Sequence, residues 1–166
     1  MDSMEAMQAA DLFVAGGSAA DIRRIAARDT VALRNAVLRP GLPPDRSIYP
    51  GDDAPDSLHL GAFLDNTLVA VATLCRQAIP DEQSTASWRL RGMAARPECR
   101  GRGLGKQLVR RCIAYAVEQR GTLVWCTSRI ATVPFYRALG FREIGDPYSL
   151  PQYSDALYIR MRHSLL

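Results

Sequence analysis

The spacing of apolar and polar positions changes period several times along the chain, and each change marks an element. His59–Leu64 and Leu68–Arg76 are apolar-rich runs on either side of Asp65-Asn66-Thr67, a β-hairpin signature. Ser87–Ala95 reads as a further strand, ended at Arg96-Pro97. From Gly103 to Gln119 the period moves to about 3.6, and Leu104, Leu108, Cys112, Ile113, Ala116 and Val117 are assigned to one helix face. Thr122–Thr127 is a short buried strand, and Ala131–Leu139 a short helix closed by Gly140. Phe141–Ile144 and Ala156–Met161 read as closing strands. Nearer the N-terminus, Ile22–Ala26 is a candidate strand. Asp29 or Thr30 caps a helix through Val31, Leu33 and Val37, which Arg39-Pro40-Gly41 stops. Pro40–Ser57 has no hydrophobic period, and a loop of that length inside a compact domain is usually functional or mobile. Strands first, then strand–helix–strand–helix–strand, predict an α/β or α+β fold.

Composition narrows the class. The 166 residues are 48% hydrophobic and 23% charged, enough for one ordinary domain with its own core. We assign that domain to residues 21–166 and expect 1–20 to be a loose extension. The apolar run Leu68–Cys75 falls well short of the roughly 20 residues of a membrane helix. Cys75, Cys99, Cys112 and Cys126 show no C-x-x-C pairing, and His59 and His163 are the two histidines. That spacing suits neither a structural zinc site nor a disulfide framework, so we expect no metal and four reduced thiols in a cytoplasmic protein. Asp2 and Glu5 near the N-terminus argue against a secretory signal.

Charge is concentrated. The chain has a formal net charge of +4, but Trp88–Arg120 holds nine basic residues against Glu98 and Glu118. A segment of that sign expects an anion, with a solvated helix face and a nucleic-acid stripe as competing readings. Its centre is Arg100-Gly101-Arg102-Gly103-Leu104-Gly105-Lys106, between a strand and an amphipathic helix. Glycines at a helix start cost stability but let backbone approach a ligand closely, and a helix N-terminus grips phosphate. Two other phosphate signatures fail: Gln107 follows Lys106 where a P-loop needs Ser or Thr, and the third glycine of G-x-G-x-x-G is missing.

Arg100-x-x-Gly103-x-Gly105 after Met93-Ala94-Ala95-Arg96-Pro97 resembles the [QR]-x-x-G-x-[GA] motif of the GNAT family of acetyl-CoA-dependent N-acetyltransferases. Ala131-Thr132-Val133-Pro134-Phe135-Tyr136-Arg137-Ala138-Leu139-Gly140-Phe141 resembles the family's A-x-x-x-[FL]-Y-x-x-x-G-F segment. The resemblance implies a mixed, mostly antiparallel sheet of about six to seven strands flanked by about four helices. It implies acetyl-CoA as acyl donor, transferred directly to an amine in a ternary complex. Met93, Ala94 and Ala95 would meet the pantetheine. Arg100, Gly101, Arg102, Gly103, Leu104, Gly105 and Lys106 would hold the pyrophosphate, and Arg129, where many relatives have Asn, is a further contact. Tyr136 corresponds to the family's general acid at sulfur, its ordinary pKa near 10 keeping it protonated. Val124 stands where some relatives carry a glutamate base, so Asp81, Glu82, Glu98, Glu143 and Asp146 are the candidates left. The Pro40–Ser57 loop and Pro147–Tyr158 belong on the acceptor side, where Tyr49, Asp52, Asp53 and Asp56 are candidates to receive a cationic amine. The expected partner is a small-molecule or peptide amine, with no nucleic acid and no membrane, and with pairing into a homodimer. A non-catalytic acetyl-CoA-binding regulator and a basic nucleic-acid module are the alternatives.

Overall fold

The computed structural model describes residues 20–166, so the expected extension lies, but for Ala20, outside the described residues. Strands β1 (Asp21–Arg24), β2 (Leu58–Leu64), β3 (Thr67–Arg76), β4 (Ser87–Ala95), β5 (Leu123–Arg129), β6 (Arg142–Ser149) and β7 (Leu157–Ser164) form one sheet. Their order is β1-β2-β3-β4-β5-β7-β6. Neighbours are antiparallel except β4 and β5, which run parallel. The expected β2–β3 hairpin turns at Asp65 and Asn66, whose φ angles of 47° and 62° suit a two-residue turn between right-twisted strands. β6 continues past Ile144 to Ser149, because a bulge between Ile144 and Tyr148 carries its pairing with β7 through Gly145-Asp146-Pro147.

Helices α1 (Val31–Leu38), α2 (Leu104–Glu118) and α3 (Val133–Ala138) lie among the described residues, where about four were expected. None is long and apolar enough to cross a membrane. Leu104, Leu108, Cys112 and Ala116 of α2 pack on one sheet face with Ala72, Leu74, Leu90 and Val124. Val109 joins them, whereas Val117, expected on this face, is 54% exposed. At 100° per residue Val117 lies about 140° from Cys112, outside the buried stripe. The opposite face receives α1, where Leu33 meets Val71 and Ala94.

Two irregularities in β4 shape everything near it. Its pairing with β5 consists of Ser87↔Leu123, Trp88↔Val124 and Arg89↔Trp125. Beyond Arg89 the strands part, β4 staying bonded to β3 and β5 to β7, which leaves two facing edges open. The second irregularity is a bulge: the β3 register slips between Thr73↔Arg91 and Val71↔Ala94, with Gly92 at φ 63°. One extra residue reverses the side-chain alternation. Arg89, Arg91 and Ala94 therefore share the α1 face, while Met93 and Ala95 turn toward the α2 core.

A buried cation fills the space behind that bulge. Arg34 of α1 is wholly buried. It donates to both carboxylate oxygens of Asp52 at 2.6 and 3.2 Å, to Thr73 Oγ1 at 2.7 Å and to the Ser47 carbonyl at 3.0 Å. A Cβ on residue 92 would sit 2.7 Å from Arg34 Nε, so glycine is required there by space as well as by φ. Asp52 also accepts from the Tyr49 N–H at 3.0 Å and from Arg91 at 3.1 Å. His59 closes the network, with Nε2 2.8 Å from the Asp52 carbonyl and Nδ1 2.7 Å from Thr73 Oγ1. A carbonyl only accepts, so Nε2 carries the proton and Nδ1 takes the Thr73 hydroxyl.

Burial alone would raise the Asp52 pKa, but hydrogen bonds from Arg34 and the Tyr49 N–H, with the charges of Arg34 and Arg91, hold it below the ordinary 3.8. A depressed carboxylate stabilises the fold at pH above its unfolded value and loses that contribution as pH falls through its folded one. Asp52→Asn leaves Arg34 buried without a counter-charge, which costs about 3–5 kcal/mol. Denaturant unfolding at pH 7 is expected to show that loss, and the gap between variant and wild type should narrow as the pH drops below 3.8. Equal midpoints at pH 7 would remove the pair from this account.

Candidate functional site

Where β4 and β5 part, a cleft of about 930 Å³ opens. The free edge of β4 from Leu90 to Ala95 forms one wall, Thr127–Arg129 of β5 the other, and Phe135 and Tyr136 of α3 look into it. The turn into α2 closes one end.

That turn is built to face a ligand. Gly103 is the N-cap of α2 at φ 77°, with no side-chain cap. A Cβ there would meet no atom within 4 Å, and the N–H groups of Leu104, Gly105 and Lys106 have no acceptor among the described residues. Open space, unused donors, the positive end of a fifteen-residue helix and the side chains of Arg100 and Lys106 together suit a phosphate.

Of the residues singled out in the sequence, Met93–Ala95, Arg100, Gly101, Gly103–Lys106, Arg129 and Tyr136 all line the cleft. Arg102 is exposed and stands outside the lining. Tyr136 is 6% exposed and packs edge-to-face on Phe135 and Phe141 at centroid distances of 5.0 and 5.4 Å. Burial, reinforced by neighbouring Cys126 and Cys112, pushes its phenol well above the ordinary 10, so it stays protonated. Its hydroxyl makes no hydrogen bond to the described residues. Burial likewise pushes the Cys112 and Cys126 thiols up to about 12, and all four cysteines are unpaired and buried.

The acidic expectations fare differently. Asp52 is committed to Arg34 and Arg91, and Asp56 pairs with Arg76 at 2.9 Å, so neither awaits a cationic amine. Among the described residues no Asp, Glu or His lines the cleft. Glu143 pairs with Arg137, Glu82 lies 3.5 Å from Arg162, and Val124 is buried in the core. The two segments expected on the acceptor side do reach the cleft, through Tyr49 and Pro50 from one and Leu150, Tyr153 and Tyr158 from the other. The sequence reading missed Arg39, Arg89 and Arg91 in the lining. Alternation along β4 was the available signal for the last two, since residues two apart on a strand share a face.

Comparison with known proteins agrees with this geometry. Residues 22–141 match the acetyltransferase (GNAT) family. The uncharacterized N-acetyltransferase YitI of Bacillus subtilis is 32% identical over 131 residues, covering 79% of this chain and 88% of that protein. Among solved structures, Escherichia coli ElaA superposes with a TM-score of 0.71 at 18% identity, covering 88% of this chain and all of that one. YncA of Salmonella typhimurium, solved with its cofactor acetyl-CoA, superposes with a TM-score of 0.70 at 16% identity, covering 90% of this chain and 95% of that one. With the split sheet, the glycine turn and the tyrosine in place, the chain belongs to the GNAT family and is an N-acetyltransferase.

Proposed function

We propose that this protein transfers the acetyl group of acetyl-CoA directly to an amine, donor and acceptor being bound together in the one cleft. The observation that carries this reading is the channel between β4 and β5, which has a phosphate-ready helix end at one extremity and a buried, hydrogen-bond-free phenol on its wall.

In this reading the first-turn amides of α2, with Arg100 and Lys106, hold the pyrophosphate. The open edge of β4 at Met93–Ala95 pairs with the pantetheine arm, as a further strand would. Acetyl-CoA supplies an acetyl group held as a thioester: a C–N bond to the acceptor forms, the C–S bond breaks, and the sulfur leaves with a proton. Tyr136 holds that proton on Oη. A phenol whose pKa is raised is a stingier acid in water, but it never starts as phenolate. Thiolate would take the proton as it forms, and water would restore it. The surplus proton of the amine passes to water, since no carboxylate or imidazole lines the cleft.

Tyr136→Phe is expected to lower kcat about 10²- to 10³-fold with the Kd for acetyl-CoA within twofold of wild type, the split expected of a group used in the chemical step. Equal turnover in the two proteins would take Tyr136 out of the mechanism. Gly103→Val should do the reverse, weakening acetyl-CoA binding at least tenfold in calorimetry while the circular dichroism spectrum is kept. A β-branched residue is strained at φ 77°, so the turn would shift, and its side chain would enter the open space beside the first turn of α2. Unchanged affinity in that variant would place the pyrophosphate elsewhere.

A further inference from the structure

The cleft has a second cationic end that the donor does not explain. Arg100 and Lys106 stand at the start of α2. Arg89 and Arg91 lie on the face of β4 that α1 covers, and Arg39 follows α1 at its C-terminus. These three arginines, with Tyr49 and Tyr153, line the part of the cleft reached by the two acceptor-side loops.

Their pairing is incomplete. Arg39 stacks 3.5 Å above the Tyr153 ring and forms no ion pair among the described residues, its buried Nε lacking any partner. Arg89 stacks 4.8 Å from the Trp125 ring and donates one long bond, 3.4 Å, to Gln77 Oε1. Its Nε is buried and unpartnered, and it too has no carboxylate. Burial, then the positive charge of Arg91, lowers the Arg89 pKa, and Arg160 adds a further cation. Arg91 shares the one nearby carboxylate, Asp52, with Arg34. This end of the cleft thus holds three partly buried guanidinium groups with a single carboxylate among them, already shared with Arg34. Buried charges are ordinarily paired. The missing partner is an anion that arrives with the substrate.

We propose that the acceptor is a small primary amine that carries a carboxylate, which Arg89, Arg91 and Arg39 receive while the amine faces the thioester. This rests on the acetyl-transfer reading above and names its substrate class. Guanidinium forks match a carboxylate in shape as well as charge. The same field acts on the nitrogen. An ammonium among several cations loses its proton more readily than in water, so the cleft favours the neutral, nucleophilic amine without a carboxylate base. Polyamines and aminoglycoside-like polycations are disfavoured on the same ground.

The test compares amino acids with free carboxylates, among them glutamate, γ-aminobutyrate and β-alanine, against their carboxamides, with spermidine as a polycation. Turnover is read as thiol release, after calorimetry has established acetyl-CoA binding. An α-carboxamide has the less basic amine, so a preference for carboxylates cannot come from amine ionisation alone. The expected result is kcat/KM at least tenfold higher for one or more carboxylates than for the matching carboxamide. Arg89→Gln and Arg39→Gln should each raise KM for that carboxylate at least tenfold, with KM for its carboxamide within twofold and the acetyl-CoA Kd unchanged. Carboxamides or spermidine used as well as carboxylates would overturn the proposal and leave acetyl transfer standing. So would a panel of inert carboxylates with acetyl-CoA bound. No binding of acetyl-CoA would bring down the acetyl-transfer reading itself.

Discussion

The buried guanidinium of Arg34 is the constraint on which the α1 side of the cleft depends. It joins α1, the long loop through Ser47 and Asp52, and β3 through Thr73, and it occupies the hollow that the Gly92 bulge leaves in β4. Such a charge needs partners, and the loop in its observed course supplies the Asp52 carboxylate and the Ser47 carbonyl, while Nε stays without one. A segment without helix or strand period is thereby fixed in place, with Tyr49 stacked 4.2 Å from Arg34 and Pro50 set at the rim of the cleft. The bulge in turn decides which β4 side chains face which layer. Were the same residues a regular strand, Ala94, three positions after Arg91, would face the opposite layer from Arg89 and Arg91.

The parting of β4 and β5 is a second-order result of the same economy of backbone bonds. Strand edges inside a protein normally find partners. Here β4 beyond Arg89 and β5 beyond Trp125 each keep one neighbour and leave one edge open. An open edge lined by small residues, Gly92, Ala94 and Ala95, leaves room for an extended chain with amide groups of its own.

Much of this was legible in the sequence, and what was hidden was hidden for reasons that can be named. Ser87–Ala95 matches β4 residue for residue, and the glycine turn lies at the start of α2 as its spacing implies. Local signals sufficed there. Asp52 is the opposite case. In a stretch of Pro, Gly and Asp it reads as a surface acid, and only the fold shows the buried arginine eighteen residues earlier that claims it. Arg89 and Arg91 were counted in one basic run with Arg100 and Lys106, because charge summed along a chain is blind to which residues stand on a strand face and which at a helix start. Gly92 carried a signal that went unused, since a glycine inside a strand pattern marks a bulge.

The two cationic ends of the cleft also differ in how much water surrounds them. Arg100 and Lys106 are exposed, whereas the Arg91 side chain is 9% exposed. At physiological ionic strength fields from exposed charges die away over about 8 Å, while those of buried charges are screened far less. The field at the start of α2 is therefore set by the salt concentration of the solution. The charge of Arg91, with most of its side chain out of solvent, is screened far less. One basic segment of chain thus carries charges of two different ranges.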